Sequence, residues 1–200
     1  MKYLLLFLFL AGCATTELVE KPGENYKAVW SNEEWSQHVA ATLETEGADM
    51  LKVDPKDEVR WCPGLSKMSL KDRKKFYVYL VSAMAKYESS FKPETKYTES
   101  FTDSSGRKVI SRGLLQISLE SSKGYGCGFT TGEEMHDPKK NLACGVKILN
   151  RWIGRDKYIG SAGVDGIKNA GGARYWSVLR PSSGSQSKIK ALTVPFCKSL

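Results

Sequence analysis

The sequence predicts a single α+β domain that is mainly helical and carries one small β-hairpin. Three observations lead there. The 200 residues are 41% hydrophobic and 26% charged, which suffices for one real core and gives no sign of a second. Apolar residues recur at helical intervals through "FYVYLVSAMAKY". The stretch "TDSSGRKVISRGLLQIS", 102–118, alternates on either side of a turn at Ser104–Gly106, as a hairpin does.

Taken in order, the first residues "MKYLLLFLFLAGC" combine one lysine, a short apolar run and small residues before a cysteine. The run is too short for a membrane span and reads as a secretory signal, so the chain is expected to be exported. "LAGC", 10–13, resembles a bacterial lipobox, which makes residues 1–12 the signal peptide and Cys13 the lipid-bearing residue. Ala14, in place of an aspartate, suggests the periplasmic face of the outer membrane if the source is Gram-negative. Residues 13–28 then form a polar tether broken by Pro22 and Gly23.

A short amphipathic helix follows. Ser31 with Glu34 makes a capping pattern, Trp35, Val39 and Leu43 or Thr42 form one stripe, and Gly47 is the stop. Residues 48–65 read as irregular. The central helix is capped by Ser69 with Asp72 and carries Tyr77, Leu80, Met84 and Tyr87 inward; its "KDRKK", 71–75, reads as a solvated face. Leu80, Met84 and Glu88 stand four apart, so Glu88 continues the apolar face up to the break before Pro93. A carboxyl among apolar neighbours resists ionisation and can serve as a proton donor near neutral pH. "RPSSGSQSK", 180–188, reads as a loop, and there is no internal repeat.

Beyond Cys13 the cysteines are Cys62, Cys127, Cys144 and Cys197, an even number in an exported chain. Of three possible connectivities, Cys127–Cys144 as a local staple and Cys62–Cys197 as a tie from the chain's end to the start of the core are expected. No C-x-x-C occurs and the two histidines, His38 and His136, are far apart, so neither metal nor cofactor is expected. Residues 13–60 hold 5 Lys/Arg against 11 Asp/Glu, whereas 61–200 hold 24 against 11, so the main body suits a polyanion. An exported chain without a nucleic-acid motif points away from nucleic acid and toward the bacterial wall.

"ESSF" at 88–91 followed by "GLLQIS" at 113–118 resembles the E-S-x-F and G-L-M-Q pair of the soluble-lytic-transglycosylase family, which shares the lysozyme-like fold with goose-type lysozymes. "DPKKNLACGVKIL", 137–149, and "NAGGARYW", 169–176, are similar to two further blocks of that family, in the same order. The resemblance implies a lysozyme-like catalytic domain over 29–200, monomeric, with the hairpin beside its cleft and peptidoglycan glycan strands as partner. It implies Glu88 as catalytic acid and base and Ser89 as its orienting neighbour. Gly113, Leu115 and Gln116 would lie along the glycan, Asn141 and Gly145 would serve a helix, and Asn169 and Ala170 would line the cleft. Lys168 stands where the family has a tyrosine bonded to the glutamate, leaving Tyr175 or Tyr87 to supply that hydroxyl.

The implied reaction is cleavage of the β-1,4 bond between N-acetylmuramic acid and N-acetylglucosamine, chiefly as a lytic transglycosylase giving 1,6-anhydro ends. The alternatives are a lysozyme-type hydrolase, with altered preference for modified glycan such as deacetylated strands, or a lipoprotein that binds the wall without cutting it. Hydrolysis needs a second carboxylate across the sugar, roughly 6.5–9.5 Å from the acid in inverting enzymes. Asp103 and Glu99 in the hairpin are the candidates.

Overall fold

The computed structural model describes residues 24–164 and 166–200. The signal segment, Cys13 and most of the tether lie outside the described residues. Helix α1, Glu33–Thr45, is capped by Asn32, whose side chain accepts from the Trp35 amide at 3.0 Å. The cap thus falls one residue later than the Ser31 pattern suggests. Val39 and Leu43 are fully buried on its inner face.

The segment expected to be irregular contains two one-turn helices, α2, Ala48–Leu51, and α3, Glu58–Trp61. A buried arginine holds it. Arg73 donates to the carbonyls of Leu51, Val53, Ser66 and Met68 and to Asp54 Oδ1, the last at 2.7 Å. At 7% exposure it is the member of "KDRKK" that is not solvated. Its fork of five donors is one of few side chains able to satisfy so many converging carbonyls, which no single-helix pattern can reveal.

Helix α4, Leu70–Ser89, is capped by the Ser69 hydroxyl on the Asp72 amide and runs through the middle of the molecule. Every residue from Phe76 to Ala85 is buried, so the expected single stripe is in fact an apolar surface all round. Helix α6, Pro138–Asp156, packs on α1, and α7, Ser185–Cys197, packs on α4, with Tyr79 stacked on Phe196 at 4.1 Å between centroids. Helix α7 begins inside the stretch read as a loop; Ser185 and Ser187 occupy its first turn and Gln186, buried, donates to the carbonyls of Gly160 and Leu179. Disulfides Cys62–Cys197 and Cys127–Cys144 form as expected, the first clamping α3 to the end of α7 and the second holding the loop before α6.

Strands β1, Lys96–Thr102, β2, Lys108–Arg112, and β3, Ile117–Ser118, form an antiparallel sheet in that order. The hairpin therefore starts six residues before the expected boundary, and its register shifts between Thr98 and Thr102, a bulge in β1. Helix α5, Leu119–Gly124, follows directly, capped by the Ser118 hydroxyl. A second hairpin joins β4, Gly160–Val164, to β5, Ile167–Gly171. Among the described residues no helix is long and apolar enough to cross a membrane.

Candidate active site

The last turn of α4 delivers Glu88 to a cleft, because the chain reverses immediately beyond it. Ser90 and Phe91 both take left-handed backbone, φ 53° and 65°, and the Ser90 amide closes the helix on the Lys86 carbonyl. A bulky residue at positive φ is strained. Phe91 is held there by edge-on contact with Trp30.

Across from Glu88 the sheet presents Glu99 and Phe101 from β1 and Ser111 from β2, and Gln116, Glu120, Tyr175, Trp176 and Arg180 complete a cleft of about 260 Å³. Burial pushes the Glu88 carboxyl up to about 8, the charge of Glu99 adds to the rise, and Arg180 partly opposes it. Glu88 is therefore largely protonated at neutral pH. Glu99 accepts from the Ser111 hydroxyl at 2.6 Å, a bond that fixes its carboxylate on the cleft face of the sheet. One proton donor and one hydrogen-bonded carboxylate thus share one cavity. Glu120 brings the carboxyls to three, against the single guanidinium of Arg180.

The turn "GLLQ" is built for close packing. A Cβ on Gly113, at φ 77°, would lie 2.3 Å from Asn141 Nδ2, so this glycine admits the buried asparagine rather than a glycan. Asn141 in turn accepts from the Leu115 amide and donates to the carbonyls of Arg112 and Met135. Leu115, expected beside sugar, is fully buried, and a Cβ on Gly145 would strike it at 2.1 Å. Gln116 does line the cleft. Its amide nitrogen donates to the carbonyls of Thr95 and Gly113, so its oxygen is what it can offer a ligand.

Other expected residues sit elsewhere. Ser89 is buried and returns its hydroxyl to the Ala85 carbonyl, satisfying its own helix instead of orienting Glu88. Asp103 organises the hairpin turn: it accepts from the amides of Ser105 and Arg107 and pairs with the Arg107 guanidinium, and those bonds hold its carboxyl below the usual range. Lys168, Asn169 and Ala170 lie on β5, Lys168 exposed and Ala170 fully buried, outside the residues that line the Glu88 cleft. Tyr175 lines it, and its hydroxyl accepts from the Ser118 amide at 3.3 Å. Arg180, not Lys168, is the cation that acts on Glu88.

Sequence reasoning missed Arg180, which sits in a serine-rich stretch without a motif. It donates to the carbonyls of Ala173, Arg174 and Tyr175 and so steadies the turn that carries Tyr175 and Trp176. It also missed the aromatics of β1: Phe101 lines the cleft with Glu99, and Tyr97 stands opposite Ser111 in the sheet. Tyr97 and Phe101 are 61% and 58% exposed, apolar rings presented to solvent. Among the described residues no three His, Cys, Asp or Glu side chains gather as a metal site.

A family model for the transglycosylase SLT domain matches residues 68–161. The solved structure of wild-type Bd0314 DslA is 43% identical, with 86% of this chain and 96% of that chain covered and a TM-score of 0.80. The chain belongs to the transglycosylase SLT family. Two glutamate-to-glutamine mutants of DslA match with the same coverage and TM-score at 42% identity. No curated protein matches the chain. The SLT fold is the lysozyme-like one anticipated from the four sequence blocks, and membership makes this an extracytoplasmic domain that acts on peptidoglycan.

Proposed function

We propose that the protein hydrolyses the β-1,4 bond between N-acetylmuramic acid and N-acetylglucosamine in peptidoglycan, with Glu88 as the acid and Glu99 as the second carboxylate. The observation that carries this reading is the placing of a buried carboxyl whose pKa is raised and a second, hydrogen-bonded carboxyl in one cleft. Glu88 gives its proton to the glycosidic oxygen as the bond to the anomeric carbon breaks. Glu99 offsets the positive charge on the sugar and takes a proton from the water that attacks. Two glutamates eleven positions apart were replaced in the DslA mutants, and Glu88 and Glu99 have the same separation.

The carboxyl excess in the cleft also favours a glycan carrying free C2 ammonium groups over a fully acetylated one. The family match supports a second reading, the lytic transglycosylase reaction, in which Glu88 alone serves as acid and then base and the 6-hydroxyl closes a 1,6-anhydro ring. The lipobox "LAGC" supports attachment through lipid on Cys13, which metabolic labelling with a radioactive fatty acid, lost in Cys13→Ser, would test.

Dye release from labelled sacculi, acetylated and deacetylated, tests the active-site assignment. Glu88→Gln should reduce the rate at least about 100-fold, and Glu99→Gln should do likewise. Full activity in Glu99→Gln would remove the second carboxylate and leave the transglycosylase route.

A further inference from the structure

A second pocket of about 310 Å³ opens between the hairpin turn and α5, and Val109, Ser118 and Glu120 line both it and the Glu88 cleft. The two cavities therefore adjoin along β2 and the first turn of α5. Their charges are opposite. The cleft has three carboxyls and one cation, whereas this pocket gathers Arg107, Lys108, Arg112 and Lys123 against Asp103 and Glu120.

Much of the acidity in the pocket is already engaged. Asp103 pairs with Arg107 at 3.0 Å, and Glu120 accepts from the Ser104 hydroxyl at 3.1 Å. Lys108 reaches only the Ser100 carbonyl and Arg112 only that of Ile110, and no carboxylate pairs with Lys108, Arg112 or Lys123 among the described residues. Three cations on the walls of a cavity, none neutralised by the protein, suit a ligand that brings its own carboxylates.

We propose that this pocket receives the peptide branch of the glycan, binding its free carboxylates through Lys108, Arg112 and Lys123 while the sugar chain lies in the adjoining cleft. The proposal rests on the peptidoglycan reading of the Glu88 cleft. Muramic acid carries its peptide as a side branch beside the strand, and a basic cavity flanking an acidic groove matches a polymer with carboxylates on its branches. The enzyme would then distinguish strands that keep their peptides from strands an amidase has stripped.

The test uses the Glu88→Gln protein, which should bind without turnover, and glycan strands of one length either bearing peptides or stripped of them. The parent should bind the peptide-bearing strands about fivefold more tightly. Adding Lys108→Gln and Lys123→Gln should bring that ratio close to one and leave affinity for stripped strands unchanged. Equal binding of both strands by the parent, or a ratio that survives the double substitution, would overturn the proposal while leaving the glycan cleft intact. So would equal weakening toward both strands, which is the effect of bulk charge. A parent that binds neither strand would overturn this proposal and the peptidoglycan reading together.

Discussion

Glu99 faces Glu88 across the cleft, and its charge adds to burial in keeping the Glu88 carboxyl protonated. The acid is thus prepared partly by the carboxylate proposed to complete its reaction. Because the donor must be protonated, activity should decline as pH rises through about 8, where Glu88 ionises. Removing the neighbouring anion in Glu99→Gln should move the Glu88 titration downward, and removing the cation in Arg180→Gln should move it upward. Carboxyl NMR titration of Glu88 in each variant reads this directly. Shifts in the opposite senses would show that the two side chains do not act on Glu88 through their charges.

The same raised carboxyl has a consequence for stability. A group whose folded pKa lies above its unfolded value binds more protons when folded, so stability falls with rising pH between the unfolded value of about 4.5 and the folded value of about 8. Glu88→Gln cannot ionise and should escape that loss. The variant should match the wild type near pH 4 and be more stable by on the order of 1–2 kcal/mol at pH 8, since cleft hydration reduces the full linkage effect. Thermal unfolding across this range, with no gap opening as pH rises, would contradict the burial of Glu88.

Arg73 is predicted to be worth far more than a surface lysine of the same helix. Arg73→Met strands four backbone carbonyls that converge on the guanidinium and should cost about 2–4 kcal/mol. Lys71→Met, on an exposed side chain, should cost less than about 0.5 kcal/mol. Denaturant unfolding compares the two, and similar midpoints would refute the role given to Arg73.

Phe101 is exposed and lines the cleft with Glu99, and a sugar ring laid on an exposed aromatic gains apolar contact that alanine cannot give. Phe101→Ala should raise KM for sacculi several-fold, about 1 kcal/mol, and Phe101→Tyr should restore it. A KM unaffected by alanine would make Phe101 irrelevant to glycan binding.

The legible parts of this molecule were those governed by local pattern. The Ser69 cap, the arrival of Glu88 at a helix end and the turn at Ser104–Gly106 each depend on residues a few positions apart, and each was visible in the sequence. What depends on distant packing was not. Arg73 looked like one charge in a basic run because its acceptors lie 5 to 22 positions earlier in the chain. Leu115 reads as a sugar contact by its place in the family's glutamine block, yet its burial is decided by the space left at Gly145. Asp103 and Glu99 are both candidates by sequence, Asp103 expected on the strand side of the cleft; the sheet instead brings Glu99 into the cleft and the turn absorbs Asp103. Lys168 was weighed as the partner of Glu88 by alignment with a family block, while the cation in the cleft comes from Arg180, outside every block.

The most direct measurement is the chemistry of the ends produced from sacculi digested in heavy-oxygen water, resolved by mass spectrometry. Hydrolysis by Glu88 and Glu99 predicts reducing ends that carry the heavy oxygen at the newly freed anomeric carbon. Products with 1,6-anhydro ends and no label would contradict it.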